Sequence, residues 1–464
     1  MINMKISSER EIAKNMILSV LAQAVSVLVG FVLNLIVPKF ISETNYSLWQ
    51  SYLLYSQYLG ILHFGLLDGI VLRYSQYDYS ELDKTIVRSQ YREIMRADII
   101  VSAVFLIVSC VFFQGNKRTI GAFLACTICI EITYNYISFI FQITNRITNY
   151  VSYITIYRLV YCVLVIGVLV AGRSSYQWFC LAYLVSDAAV ILLFGLRYSR
   201  ELLVGTVLPL TKLLPELKNT LSAGVWLMLS TYAANFLVGS GKMVIQWRWG
   251  MLAFGKVSLA FSLTSFFLQF VTAISVVLFP SIKRMELSKL PEMYCKIRQG
   301  ISPLLFSALL LYYPGSALLQ RWLPKYTSSL QYLGILMPSI VYTSKVSLLT
   351  NNFLKAYQKE KIMLCINVIC VAFGLVLFVL GAWVINSLPI ILLFVVAVMI
   401  LRSVISEIAV MHIINIDIRK ELGVEIVLTG VFIACVSLLP RWWGAVLYIF
   451  ALTGYLYFQI PKNA

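Results

Sequence analysis

What most constrains this chain is a recurrence of apolar stretches, each long enough to cross a lipid bilayer. They fall near 14–37, 45–70, 97–114, 119–142, 151–171, 176–196, 218–241, 252–280, 300–321, 328–352, 362–385, 388–412, 423–439 and 443–460. A hydrocarbon layer about 30 Å thick needs about 20 apolar helical residues, so these read as about fourteen transmembrane helices. Of the 464 residues, 60% are hydrophobic and 12% charged. Soluble domains carry roughly twice that charged fraction and could not bury so much apolar surface, so the solvent must be lipid. Backbone amides in lipid must be satisfied within the segment, which leaves helices as the spanning structure. The expected fold class is therefore an all-α, polytopic membrane protein.

The net charge of +17 does not point to nucleic acid, because the basic residues sit in short loops rather than on a soluble face. One set of alternate loops, with Lys5, Arg10, Arg73, Lys84, Arg88, Arg146, Arg197, Lys283, Arg284, Lys355 and Lys462 among its members, holds more than twice the Lys and Arg of the opposite set. The positive-inside bias then places both termini in the cytoplasm. The N-terminal MINMKISSEREIAKN is polar and the apolar run after it is too long for a cleavable signal. The longest connections, 71–96, 197–217 and 281–299, are all on the predicted inner side, and none is large enough for a soluble catalytic domain. The middle one carries Pro209 and Pro215 and reads as a linker. It divides the chain into 1–196 and 218–412, with 413–464 as a terminal pair of helices. The run from Asn45 to Arg73 follows the same plan as Phe254 to Lys283, a weak parallel repeat.

Polar residues inside the spans form stripes. On the eighth, Ser258, Ser262, Ser265, Gln269 and Thr272 step by three and four, which is one face of a helix. The first span does the same with Asn15, Ser19, Gln23, Ser26, Gly30 and Asn34. The fourth carries Thr127, Glu131, Asn135, Ser138 and Gln142, and the seventh Thr231, Asn235, Gly239 and Lys242. Small and hydroxyl residues alone would be ordinary interhelical contacts. Stripes that include Gln, Asn, Glu and Lys favour a hydrated lumen.

Intramembrane charge is the sharper signal. Arg158, Lys256, Lys345 and Arg402 lie inside spans, and Lys242 near the outer end of one. A cation at bilayer depth costs about 3 kcal/mol and needs compensation. Snorkelling to the interface accounts for Lys242 and Lys256, and partly for Arg158, but poorly for mid-span Lys345. Few carboxylates are at hand: Asp68, Glu131 and Asp187, with Glu407 poorly spaced from Arg402 on its own helix. The surplus suggests a lumen that attracts anions, with Lys345, Arg158, Lys242, Lys256, Gln23, Asn34, Gln269 and Asn235 as its lining. Glu131, Asp187 and His63 are alternative candidates for proton or sodium coupling. Only two histidines occur, and no HExxH, Walker or GxSxG sequence. The CxxC of Cys126 and Cys129 sits within an apolar run without further ligands, so packing is its better reading. Neither catalysis, nor metal, nor a bound cofactor is expected.

The stretch GKMVIQWRWGMLAFGKVSLAFSLTSFFLQFVTAISVVLFPSIKR (Gly241–Arg284) resembles the eighth helix, and its cytoplasmic end, of the bacterial polysaccharide transporters. These are the O-antigen and capsule flippases of the superfamily shared with multidrug exporters and the lipid II flippase. LVGFVLNLIVPKFISETNYSLWQSYLLY, FGLLDGIVLRY and QITNRITNYVSY are similar to further segments of that family in the same order. Many relatives have an acidic residue before the basic one late in the seventh helix, where this chain has Gly241 before Lys242. The resemblance implies two six-helix lobes around a central cavity, plus two accessory C-terminal helices. It implies an alternating-access flippase for an undecaprenyl-pyrophosphate-linked oligosaccharide in the bacterial cytoplasmic (inner) membrane, working beside a polysaccharide polymerase. A polymerase sharing the lipid carrier would carry a sizeable outer loop, and here the outer loops are short. A multidrug exporter would favour acidic rather than basic buried residues. A lipid II flippase is the closer rival.

Overall fold

A computed structural model of the chain describes residue 18 and residues 21–459, apart from 145, 284–288 and 358; the side chains of 199, 200, 270–283, 360, 458 and 459 also lie outside the description. Lys5, Arg10, Lys14, Asn15, Ser19, Arg284 and Lys462 are thus outside the described residues, as are the side chains of Arg200, Thr272 and Lys283. The described residues are helices and their connections, with no strand among them. The chain divides into two compact units, Met1–Tyr232 and Ala233–Ala464, with the division inside a long helix.

The first unit begins with α1, Leu21–Phe40, and α2, Glu43–Ser56, whose first turn is capped by the Ser42 hydroxyl accepting from the Asn45 amide at 3.2 Å. A 3₁₀ turn, Leu59–His63, precedes α3, Leu66–Tyr74. Phe64 and Gly65 between them both adopt left-handed backbone, φ 52° and 85°, so the stretch expected as one span at 45–70 is broken in its middle. Four long helices follow: α4 (Lys84–Phe112), α5 (Gly115–Ile143), α6 (Ile147–Val170) and α7 (Tyr176–Leu202). The last contributor is the start of α8, Leu210–Lys283.

Glycine decides how α3 meets α8. A Cβ on Gly224 would strike the Gly65 carbonyl and the Gly69 backbone, and one on Gly69 would strike the Thr220 carbonyl. Two backbones therefore approach at a distance that only small residues permit. Polar bonds close the same seam. Arg73 reaches the Glu216 carboxylate at 2.9 Å and the Thr220 hydroxyl at 2.6 Å, and Tyr74 donates to Glu216 at 2.6 Å. Beneath lies a core of Leu66, Ile70, Val87, Tyr136, Ile140, Phe141, Tyr153 and Val190, buried because each faces the bundle on its helix.

The second unit takes the rest of α8, which breaks at Gly250 (φ 81°, ψ −175°), a conformation open essentially to glycine alone. It continues with α9 (Leu290–Ala308), α10 (Tyr312–Trp322), α11 (Thr327–Leu336), α12 (Pro338–Lys345) and, after a π-helical stretch at Val346–Thr350, α13 (Asn351–Ala356). Then come α14 (Glu360–Val379), α15 (Leu388–Ile414), α16 (Arg419–Leu438) and α17 (Arg441–Gln459). Asn386 and Asn415 take left-handed conformations at the ends of two helices, as a C-terminal stop requires.

Among the described residues, 10 helices are long and apolar enough to cross a membrane, or 11 if the pair Pro324–Leu336 and Pro338–Ala356, bent by 44°, is one span. The difference from about fourteen sequence stretches has a physical cause in broken helices. Leu210–Gln269 is one 60-residue helix by this measure although Gly250 interrupts it. The 45–70 stretch is split at Phe64 and Gly65, and neither it nor α17 is among the ten.

Candidate functional site

Within the first unit, polar and aromatic side chains from α2, α5, α6 and α7 converge. Spacing of four on α5 puts Thr127, Glu131 and Asn135 on one face. Tyr52 of α2 is fully buried and its hydroxyl shares a 2.8 Å hydrogen bond with Thr127. The Tyr183 ring of α7 stands edge-on to Tyr52 (5.6 Å), Tyr157 (6.2 Å) and Tyr161 (5.7 Å). Tyr134 stacks on Tyr153 at 4.8 Å and lies 5.1 Å from Tyr157. Asp187, one turn beyond Tyr183, is 2% exposed and interacts electrostatically with Glu131. Asp187 Oδ2 and Glu131 Oε2 each lack a hydrogen-bond partner. Two carboxyls with an unpartnered oxygen each thus lie among tyrosine rings.

His63 is 4% exposed and its Nδ1 accepts from the Gly65 amide at 3.1 Å. That bond assigns the proton of the neutral ring to Nε2, which points to Asp68 at 3.7 Å. Tyr232 interacts electrostatically with both Asp68 and Glu131. Of the three residues singled out for coupling, Glu131 and Asp187 are electrostatic neighbours and His63 faces Asp68, with Tyr232 an electrostatic neighbour of both sets; the polar line they trace is one of electrostatic proximity. The sequence offered no sign of Tyr232, because it comes from a helix more than a hundred residues downstream of Asp68.

Of the lumen candidates here, Gln23 and Asn34 are half-buried on α1. Arg158 of α6 donates to the Ser26 hydroxyl of α1, which donates on to the Ala22 carbonyl at 2.7 Å. Tyr134 and Tyr150 are the electrostatic neighbours of Arg158. No ion pair of Arg158 occurs among the described residues, where its guanidinium meets the Ser26 hydroxyl.

In the second unit the expectation for Lys345 needs correction. Lys345 is 0% exposed, and its ammonium lies 2.6 Å from Glu407 and 2.5 Å from Glu425. Arg298 lies 3.0 Å from each of the same two carboxylates. Two cations and two anions alternate in a closed ring drawn from α9, α12, α15 and α16. Ser403 donates to Glu407 and Tyr455 to Glu425, each at 3.3 Å. Lys345 is therefore a compensated charge in a packed interior and not a free cation awaiting an anionic ligand. Its partners escaped notice because each sits on a different helix, and spacing along one helix says nothing about them.

Lys242 is different. It is half-buried on α8, with its ammonium 4.8 Å from the centre of the Phe261 ring, and no ion pair among the described residues. Arg402 of α15, not singled out as lining from sequence, is half-buried with an unpartnered Nε. Lys256 and Gln269 are half-buried on the second segment of α8, and Asn235 and Thr231 are exposed on the first. On the Ser258 stripe, Ser258 is buried and Ser265 exposed, so the stripe runs from packed to open surroundings along its length.

The helical architecture is that of a multi-pass membrane protein. It matches the lipid II flippase MurJ in an inward closed conformation (TM-score 0.67, 13% identity, 95% of this chain and 98% of that one). It also matches an inward-facing multidrug resistance transporter of the MATE family (TM-score 0.62, 16% identity, 83% and 94%). A third match is a transporter of the MOP superfamily from Pyrococcus furiosus, described as having a binding pocket of reverse polarity (TM-score 0.56, 14% identity, 87% and 96%). At these identities the likeness establishes the fold alone. No curated protein matches the sequence significantly. The family model described as polysaccharide biosynthesis protein matches residues 12–286, more than half of the chain. The chain belongs to that polysaccharide biosynthesis protein family.

Proposed function

We propose that this protein is a flippase that turns an undecaprenyl-pyrophosphate-linked oligosaccharide across the bacterial cytoplasmic membrane by alternating access, with both termini in the cytoplasm. The observation that carries the reading is the pair of cations within the helices, Arg158 and Lys242, with no carboxylate partner among the described residues, in a chain of the polysaccharide biosynthesis family. A cation without a counter-ion inside a span costs up to about 3 kcal/mol, a cost that binding an anion would offset. A pyrophosphate supplies that anion. Gln23, Asn34, Asn235, Gln269 and Lys256 meet sugar hydroxyls, and the polyprenyl tail stays in lipid. Glu131 and Asp187 take up a proton or sodium ion, whose gradient drives the cycle, with His63 and Asp68 at the far end of the same polar line.

Deletion of the gene in its host should abolish surface polysaccharide and leave lipid-linked units on the cytoplasmic face. Arg158→Gln or Lys242→Gln on a plasmid should fail to restore export while reaching the membrane in normal amounts. Single units that reach the outer face unpolymerised would instead make the protein part of the polymerase. The acidic, tyrosine-walled site of the first unit favours one rival, export of an aromatic cation. In that case Glu131→Gln would abolish drug efflux and leave polysaccharide untouched.

A further inference from the structure

We propose that the ring of Arg298, Glu407, Lys345 and Glu425 is a charge-balanced lock that fastens the C-terminal hairpin, α16 and α17, into the second unit. The hairpin thereby becomes a structural part of the transporting body and not an appendage. The geometry is specific. Each cation contacts both carboxylates, at 2.5–3.0 Å, so no single member can be removed without leaving the rest unbalanced. All four side chains are at most 4% exposed, so water cannot stand in for a missing partner.

The hairpin supplies one of the two anions through Glu425. It adds two hydroxyls: Thr429 bonds the Tyr342 hydroxyl at 2.7 Å, and Tyr455 reaches Glu425 from α17. Lys345 also ends α12 immediately before the π-helical stretch Val346–Thr350, so the lock holds the rim of an irregular turn. Apolar packing accompanies it, with Phe432 of α16 against Tyr313 of α10 (6.1 Å) and Tyr448 of α17 (5.0 Å). Nothing in this inference depends on what cargo the protein carries.

Charge balance gives the test. Lys345→Met, Glu425→Gln and the double variant are purified as full chains and their thermal unfolding is followed in detergent. Each single change leaves one unmatched buried charge and should lower the midpoint by roughly 5–10 °C. The double variant keeps Arg298 opposite Glu407, is neutral again, and should recover most of the loss. Losses that add in the double variant, or singles as stable as the parent, would overturn the lock. Where the singles do not fold, membrane yield decides: recovery in the double variant alone supports the inference, and equal failure of all three overturns it. A Lys345→Met protein of unchanged stability that no longer transports would overturn the lock and make Lys345 a cargo-binding cation; the flippase reading fails separately, by transport that survives Arg158→Gln and Lys242→Gln.

Discussion

Lys242 and Lys345 are chemically identical and both sit in transmembrane helices, yet the structure predicts opposite responses to the same substitution. Placing a lysine at bilayer depth costs about 3 kcal/mol. Lys242 has no ion pair among the described residues, and its contact with the Phe261 ring at 4.8 Å returns about 1 kcal/mol. Its slight exposure lets the stem lean toward water and lowers the penalty a little further. The net strain retained in the fold is about 1–2 kcal/mol, which Lys242→Met removes. For a cooperative unit the size of Ala233–Ala464, that is a rise in unfolding midpoint of roughly 4 °C. Lys345→Met strips two carboxylates of their counter-ion and lowers it. Fluorescence-detected size exclusion after a temperature series reads both variants in one experiment. The Lys242→Met protein should be more stable and transport-inactive. A midpoint that falls on Lys242→Met would mean that the ammonium is compensated after all, and the argument for an anion-binding lysine would collapse.

Other substitutions test separate parts of the reasoning. Gly250→Ala meets no neighbour, so its cost is backbone strain alone, about 1–3 kcal/mol, visible as a lower unfolding midpoint without loss of packing elsewhere. Gly224→Val drives a side chain into the backbone of α3 and should cost about 3 kcal/mol or prevent folding; an unchanged midpoint would show that α3 and α8 are not in backbone contact. Asp187→Asn and Glu131→Gln should leave polysaccharide export in whole cells at a tenth of parental level or less while the protein remains folded, and ion-driven uptake into vesicles should lose its dependence on the gradient. Arg158→Lys should be poorly tolerated in transport, because a point ammonium cannot reproduce a planar fork held by the Ser26 hydroxyl.

The fold was legible because lipid imposes a coarse rule: a helix must be long and greasy, and length and greasiness can be counted along a line. The stripes were legible for the same reason, since three- and four-residue spacing places Thr127 and Glu131 on one face before any neighbour is known. What escaped was everything set by meetings between distant helices. Arg298 looked like a loop residue marking the inner side, and Glu425 drew no attention on its own helix. Only the ring shows that they answer Lys345. The break at Phe64 and Gly65 was hidden too, because a left-handed pair inside an apolar run leaves hydropathy unchanged. His63 and Asp68, separated by that break, meet across it in a way no helical spacing predicts.

The ring also has a consequence for how the chain is made. Arg298 and Lys345 are synthesised before Glu407 and Glu425, so both cations must enter the membrane while their counter-ions do not yet exist. Until α15 and α16 leave the ribosome, the growing protein carries two unmatched charges among α9 and α12. The insertion machinery must shelter those helices from lipid over a run of well over fifty residues of further synthesis. Ribosome stalling before Glu407 should therefore leave α12 in contact with the translocon, and stalling after Glu425 should release it.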